Sequence, residues 1–178
     1  HLSIRRQRQM CIRDSYGPKD DPYHRTPNWR KPYPAREGEE LKVLVNRAKE
    51  NNVIFYWAIH PGQDIRWNEE DRSLLLQKFE SMYQLGVRGF AVFFDDISGE
   101  GTKADKQAEL LNYIDDHFVK VKRDVAPLIL CPTEYNKSWT DVEGGYLTTL
   151  GDKLNEGIKV MWTGDMVVAT IDLSLIHI

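Results

Sequence analysis

The chain has 178 residues with a formal net charge of −3, 41% hydrophobic and 29% charged residues, which is an ordinary globular composition. No apolar run approaches the roughly 20 residues a membrane-spanning helix needs, so a membrane partner is not expected. The near-balanced charge lacks the concentrated basic face that nucleic acid requires, and two cysteines, Cys11 and Cys131, supply neither a disulfide framework nor a four-thiolate zinc site.

Residues 1–15 (HLSIRRQRQMCIRDS) hold Arg5, Arg6, Arg8 and Arg13 against Asp14, with no apolar period. This charge shift marks a boundary. MCIRDS near the start and LSLIHI at the end resemble translated sequencing-adapter read-through. Residues 1–15 and 172–178 are therefore expected to lie outside the fold, and Cys11 and His177 to carry no role. The proline- and aromatic-rich stretch from Tyr16 to Pro34 has no period and reads as an ordered loop.

From there helical and strand patterns alternate. Leu41, Leu44, Val45 and Ala48 share one face of a helix over 37–51, and the continuously apolar 53–59 (VIFYWAI) reads as a strand buried on both faces. Asn68 is placed to cap a helix carrying Leu74, Leu75, Phe79, Met82 and Tyr83, with Gly86 as its stop. A second strand spans 87–94 (VRGFAVFF). A helix over about 103–121 carries Leu110, Leu111, Ile114 and Phe118, and a third strand covers 127–131 (PLILC). A weaker helical segment, YLTTLGDKL, leads to a fourth strand over 158–162. Strands alternating with helices imply parallel βαβ units, in either an open doubly wound sheet or a TIM barrel.

His60-Pro61-Gly62-Gln63 after the first of these strands offers no phosphate-binding glycine pattern, which argues against the dinucleotide-type sheet. Polar residues instead follow each strand: His60, Asp95-Asp96, Glu134-Tyr135-Asn136 and Thr163-Gly164. That placement is the habit of a barrel, whose sites lie at the C-terminal strand ends. With a whole barrel needing about 250 residues, residues 16–171 are expected to form a partial TIM (β/α) barrel of roughly four parallel strands.

The consecutive carboxylates Asp95-Asp96 are the sharpest chemical feature. Burial and mutual repulsion would split such a pair into one ionised and one protonated member, an acid/base couple. Neighbours in a strand point to opposite faces, so both serve one site only if the strand ends or bulges there, as Ile97-Ser98-Gly99-Glu100-Gly101 permits. A turn cap or a structural cation site would use the same residues. Asp95-Asp96-Ile97-Ser98 matches neither the haloacid-dehalogenase nor the chitinase pattern, and Ser98-Gly99 is no nucleophile elbow. His60 and Glu134 show no metal-ligand spacing, so no catalytic metal is expected, and His60 reads as a hydrogen-bonded turn residue.

Five segments, YGPKDDPYHR, WAIHPGQDI, FAVFFDDISGEG, CPTEYNKSW and MWTGD, resemble the catalytic barrel of glycoside hydrolase family 84. These are the β-N-acetylglucosaminidases often called O-GlcNAcases, some bacterial members being labelled hyaluronidases. The motifs occur in family order across most of residues 16–171. The resemblance implies substrate-assisted catalysis, in which the sugar's own acetamido oxygen attacks the anomeric carbon and gives an oxazoline, an exception to the two-carboxylate retaining scheme. It further implies that Asp95 orients the acetamido group and takes its N–H proton, and that Asp96 is the general acid and then the base. By the same resemblance Tyr135 bonds at the acetamido group, Lys19 contacts the sugar hydroxyls and Thr163 lines the pocket.

The substrate implied is a glycan or glycoprotein bearing terminal β-linked N-acetylglucosamine, with no cofactor. Cys131 is expected to be a small buried hydrophobe. The family's remaining sugar contacts fall before Tyr16 and after the end of the chain, so this chain alone is expected to show little or no activity and the whole gene product to be active. A non-catalytic sugar-binding half-barrel is the alternative, and a metal-dependent hydrolase using Asp95 and Asp96 as ligands a more distant one. One cysteine fits any compartment, and resemblance to bacterial members points to a secreted or periplasmic one.

Overall fold

The computed structural model describes residues 13–18, 20–140 and 145–168. Lys19, Cys11, His177 and the terminal LSLIHI segment lie outside the described residues. Among the described residues five strands and four α-helices alternate: β1 (Arg13–Tyr16), α1 (Ala35–Glu50), β2 (Ile54–Ile59), α2 (Glu69–Gln84), β3 (Gly89–Phe93), α3 (Ala104–Ile114), β4 (Ile129–Cys131), α4 (Tyr146–Lys153) and β5 (Lys159–Val160). The four expected strands and their intervening helices follow the sequence pattern to within two residues at each end, except that the helix expected to reach about residue 121 ends at Ile114 and continues as a π-helical turn to Val119. β1 does not: the basic composition up to residue 15 predicts no fold there, yet Arg13–Tyr16 pairs in parallel with Ile54–Trp57. A four-residue edge strand is too short to show a period of its own, and pairing with β2 specifies it.

Local chemistry sets the helix ends. Asn68 accepts a hydrogen bond from the Asp71 N–H at 2.9 Å and so caps α2, whose first turn carries Glu69, Glu70 and Asp71 against the helix dipole. Beyond α2, Gly86 turns back with φ +102°, a conformation glycine adopts without strain. α3 runs on into a π-helical turn, Asp115–Val119, which turns Phe118 inward.

All pairings are parallel and the strand order is β1-β2-β3-β4-β5. A doubly wound sheet reverses its order at a switch point, and this sheet has no reversal. With right-handed crossovers, strictly sequential order puts every helix on one face. The core agrees: Leu41 and Val45 of α1, Leu75 and Phe79 of α2, Leu110 and Leu111 of α3 and Leu150 of α4 form one cluster with Trp57, Ile59, Phe90, Val92 and Leu130 of the strands. Phe79 stacks on Phe90 with ring centroids 4.9 Å apart, and Phe118 meets Phe90 edge-on at 5.0 Å. The fold is an arc of a (β/α) barrel.

The opposite face is the barrel's inner wall. Tyr56, Ala58 and Ala91 alternate with the helix-facing residues and are fully buried outside that cluster. Gly89 lies opposite Tyr56 in the register, and a Cβ there would come within 2.7 Å of the tyrosine ring. The ring therefore lies across the glycine, and the Tyr56 hydroxyl donates to the Pro127 carbonyl at 3.2 Å.

The long loop between β1 and α1 is ordered by buried charge. Arg30 makes a two-pronged contact with Asp71 (both 2.7 Å) and a third with Asp64 at 2.7 Å, while Trp29 and Thr26 also donate to Asp64. This ties the loop after β1 to the loop after β2. Burial pushes the Asp71 carboxyl up, but the Arg30 side chain and the Arg66 main-chain N–H outweigh it and hold the group down at about 2.

Gly89→Ala should destabilise the chain by about 1–3 kcal/mol through overpacking against Tyr56, read as a lower urea midpoint. Because the Asp71 carboxyl is depressed in the fold, its contribution is complete above the ordinary carboxylate range and is lost as pH falls through about 2. Urea titrations between about pH 5 and pH 2 should therefore show wild type losing about 2 kcal/mol more than Asp71→Asn.

Candidate active site

The site is assembled at the C-terminal ends of β2, β3, β4 and β5. Along β3, Ala91 and Phe93 face the inner wall, and Asp95 continues that alternation beyond the strand. The ladder stops at Phe93. The Phe94 N–H then bonds the Cys131 carbonyl at 2.8 Å, and the Thr133 hydroxyl donates to the Phe94 carbonyl at 3.0 Å. Asp95 and Asp96 occupy a turn, and Asp96 has φ +53°, in the left-handed region. That dihedral breaks the strand alternation, so the second carboxylate is not thrown to the helix face.

The two acids meet different surroundings. Asp95 is half-buried, and its Oδ1 is enclosed with no hydrogen-bond partner in the structure. Asp96 is exposed, contrary to the expectation that both are delivered where water is scarce, because the left-handed turn lifts it out of the strand.

Tight packing holds the acid turn. A Cβ on Gly101 would fall 1.9 Å from the Gly62 carbonyl oxygen, and one on Gly62 would fall 2.6 Å from the Ile97 side chain. The chain after the acids is thus laid directly against the His60-Pro61-Gly62 turn that ends β2.

Tyr135 stands on the loop after β4. Its hydroxyl is pushed up, first by burial and then by the charges of Asp96 and Asp95, which places it in the field of the pair. Thr163, after β5, donates its main-chain N–H to the Tyr135 carbonyl at 2.9 Å, and its exposed hydroxyl reaches the same oxygen at 3.3 Å and the Met166 carbonyl at 3.0 Å. The structure thus brings Asp95, Asp96, Tyr135 and Thr163 to one rim. The Thr163 hydroxyl is engaged with main chain.

Two further residues join them. Cys131 lies opposite Phe93 in the register, and its thiol is pushed up to about 12, by burial first and then by the charge of Asp95 and a hydrogen bond to it. The position is less enclosed than a small core hydrophobe, since Cys131 is only part-buried. His60 is buried, with Nε2 2.7 Å from the Asp95 carbonyl oxygen. Strand parity carried the signal for Cys131, whereas the reach of His60 across to β3 has no signature in sequence.

The profile of the β-N-acetylglucosaminidase family matches residues 11–177. The chain belongs to glycoside hydrolase family 84. Over 163 residues it is 37% identical to protein O-GlcNAcase of Rattus norvegicus and to that of Mus musculus, alignments that cover 86% of this chain and 18% of each relative. The chain therefore spans less than a fifth of the length of these curated relatives. Among solved structures it superposes on CpGH84B with a TM-score of 0.83 at 40% identity, covering 92% of this chain and 31% of that one. A mutant of Thermobaculum terrenum O-GlcNAc hydrolase gives a TM-score of 0.78 at 29% identity, covering 93% and 37%. Family membership accounts for a sheet that is an arc of a barrel.

The backbone at Asp96 is testable apart from any chemistry. Asparagine and glycine enter the left-handed region readily and β-branched residues do not. Asp96→Asn and Asp96→Gly should match wild-type thermal stability, while Asp96→Val should lose about 1–2 kcal/mol. Equal stability of all three would mean that the turn relaxes freely.

Proposed function

We propose that the protein carrying this chain is a retaining β-N-acetylglucosaminidase that removes terminal β-linked N-acetylglucosamine from a glycan or glycoprotein by substrate-assisted catalysis. The observation that carries this reading is the Asp95-Asp96 turn, with its enclosed, unpartnered Asp95 Oδ1 beside an exposed Asp96 and a nearby Tyr135 hydroxyl. An enclosed carboxylate oxygen lacking a donor suits an amide N–H, as the 2-acetamido group would provide. Asp95 would hold that N–H, swing the acetamido carbonyl under the anomeric carbon, and accept the proton as the oxazoline closes.

Asp96, open to solvent, is in reach of a leaving oxygen and of water. It would protonate the departing aglycone and then deprotonate the water that opens the oxazoline, with net retention. Tyr135 would donate to the acetamido group. Lys19 would meet the sugar hydroxyls, and Thr163 would form part of the pocket wall. No covalent bond to the protein is required.

The test is release of 4-nitrophenol from its β-N-acetylglucosaminide by the complete gene product, with and without a thiazoline that mimics the oxazoline. Turnover blocked by the thiazoline is expected, and absence of turnover from folded protein would favour a sugar-binding role. Asp96→Ala should slow substrates with poor leaving groups by about 10²- to 10⁴-fold, and much less those whose leaving group needs no proton. The 178-residue chain by itself should show little or no turnover.

A further inference from the structure

His60 sits where two loops and a strand end meet. It closes β2, it is 8% exposed, and its Nε2 lies 2.7 Å from the main-chain carbonyl oxygen of Asp95 and 3.6 Å from Oδ1 of the same residue. A carbonyl oxygen accepts and never donates, so the proton at this contact belongs to Nε2. A neutral His60 is therefore the Nε2–H tautomer.

The main chain of His60 faces the other way. Its N–H donates to the His24 carbonyl at 2.7 Å, and Arg25 bridges to His60 in parallel. His24 is itself buried, with Nε2 donating to the Pro18 carbonyl at 2.7 Å. His60 thus joins the loop after β1 to the acid turn after β3, across the end of β2.

The acid turn needs such a hold. A left-handed backbone is uncommon outside glycine even for aspartate, and such a conformation persists where its surroundings over-determine it. The Asp95 carbonyl belongs to the peptide that joins the two acids, and a donor fixed on it sets the plane from which both side chains depart.

We propose that His60 is a positioning residue for the carboxylate pair: its Nε2–H clamps the Asp95–Asp96 peptide and so sets the aim of both acids. The proposal rests on the reading of that pair as the reacting carboxylates. His60 does not touch the substrate in this role. It acts through the peptide it holds.

The experiment compares His60→Gln, whose side-chain amide offers a donor at similar reach, with His60→Leu, which fills the space without one. In the complete gene product His60→Leu should lose about 10²-fold in kcat, the scale set by small misplacement of reacting groups, with KM changed by less than about threefold. His60→Gln should recover at least about tenfold of that loss. Equal losses in the two variants, a loss confined to KM, or no loss at all would overturn the proposal.

Nitrogen-15 NMR of the histidine ring in the wild-type protein provides a readout that needs no turnover. A proton on Nε2 is expected, and a neutral ring with its proton on Nδ1 alone would overturn the clamp. An inactive wild type would sink the hydrolase reading while the ring tautomer still decides the clamp, so the two failures are distinguishable. Should His60→Leu fail to fold, the tautomer and the activity of His60→Gln against wild type carry the test.

Discussion

Adjacent residues in a β-strand point to opposite faces, and that geometry governs everything the chain can do with two consecutive acids. Left in register, Asp95 would face the barrel interior and Asp96 would point to the helix side, as Phe90, Val92 and Phe94 do. The chain avoids this by ending β3 at Phe93 and giving Asp96 a left-handed backbone. The other strand ends are organised around that turn: Phe94 is bonded to β4, Gly62 and Gly101 pack without room for a methyl group, and His60 bonds the peptide between the acids.

Helix packing supplies the rigidity behind the turn. One aromatic cluster, Phe79 with Phe90 and Phe118, immobilises β3 from the helix side. On the inner side Gly89 makes room for the Tyr56 ring, which locks β2 against β3. The Arg30–Asp64–Asp71 network then fixes the loop after β1 to the loop after β2. Removing one partner of such a part-buried pair leaves the other charge without compensation, so the network holds the loop geometry. Such loops sit where a barrel builds its sites, on strand ends whose positions the core has already set.

The division of labour between the two carboxylates follows from this architecture. With its Oδ1 enclosed and without a hydrogen-bond partner, Asp95 suits orientation of an amide; exposed on the rim, Asp96 suits exchange of protons with a leaving group and with water. The thiol of Cys131 beside Asp95 is pushed far above neutral pH by burial and that negative charge, so it stays a neutral neighbour. Tyr135 is raised in the same field and keeps its proton for donation.

Apolar periodicity, Asn68, Gly86 and the run of polar residues after each strand were enough to determine the alternating elements, the parallel sheet and the list of strand-end residues, because these depend on local backbone chemistry and on a repeat read along the chain. The motif order alone pointed to glycoside hydrolase family 84 and to Asp95, Asp96 and Tyr135. Strand β1 was not legible, since four residues show no period and their partner lies about forty residues away. Nor could a linear pattern show that His60 reaches the Asp95 peptide, or that Asp96 is exposed while Oδ1 of Asp95 is enclosed. Those facts are set by register between strands and by one left-handed dihedral, quantities that exist only once the sheet has closed around the turn.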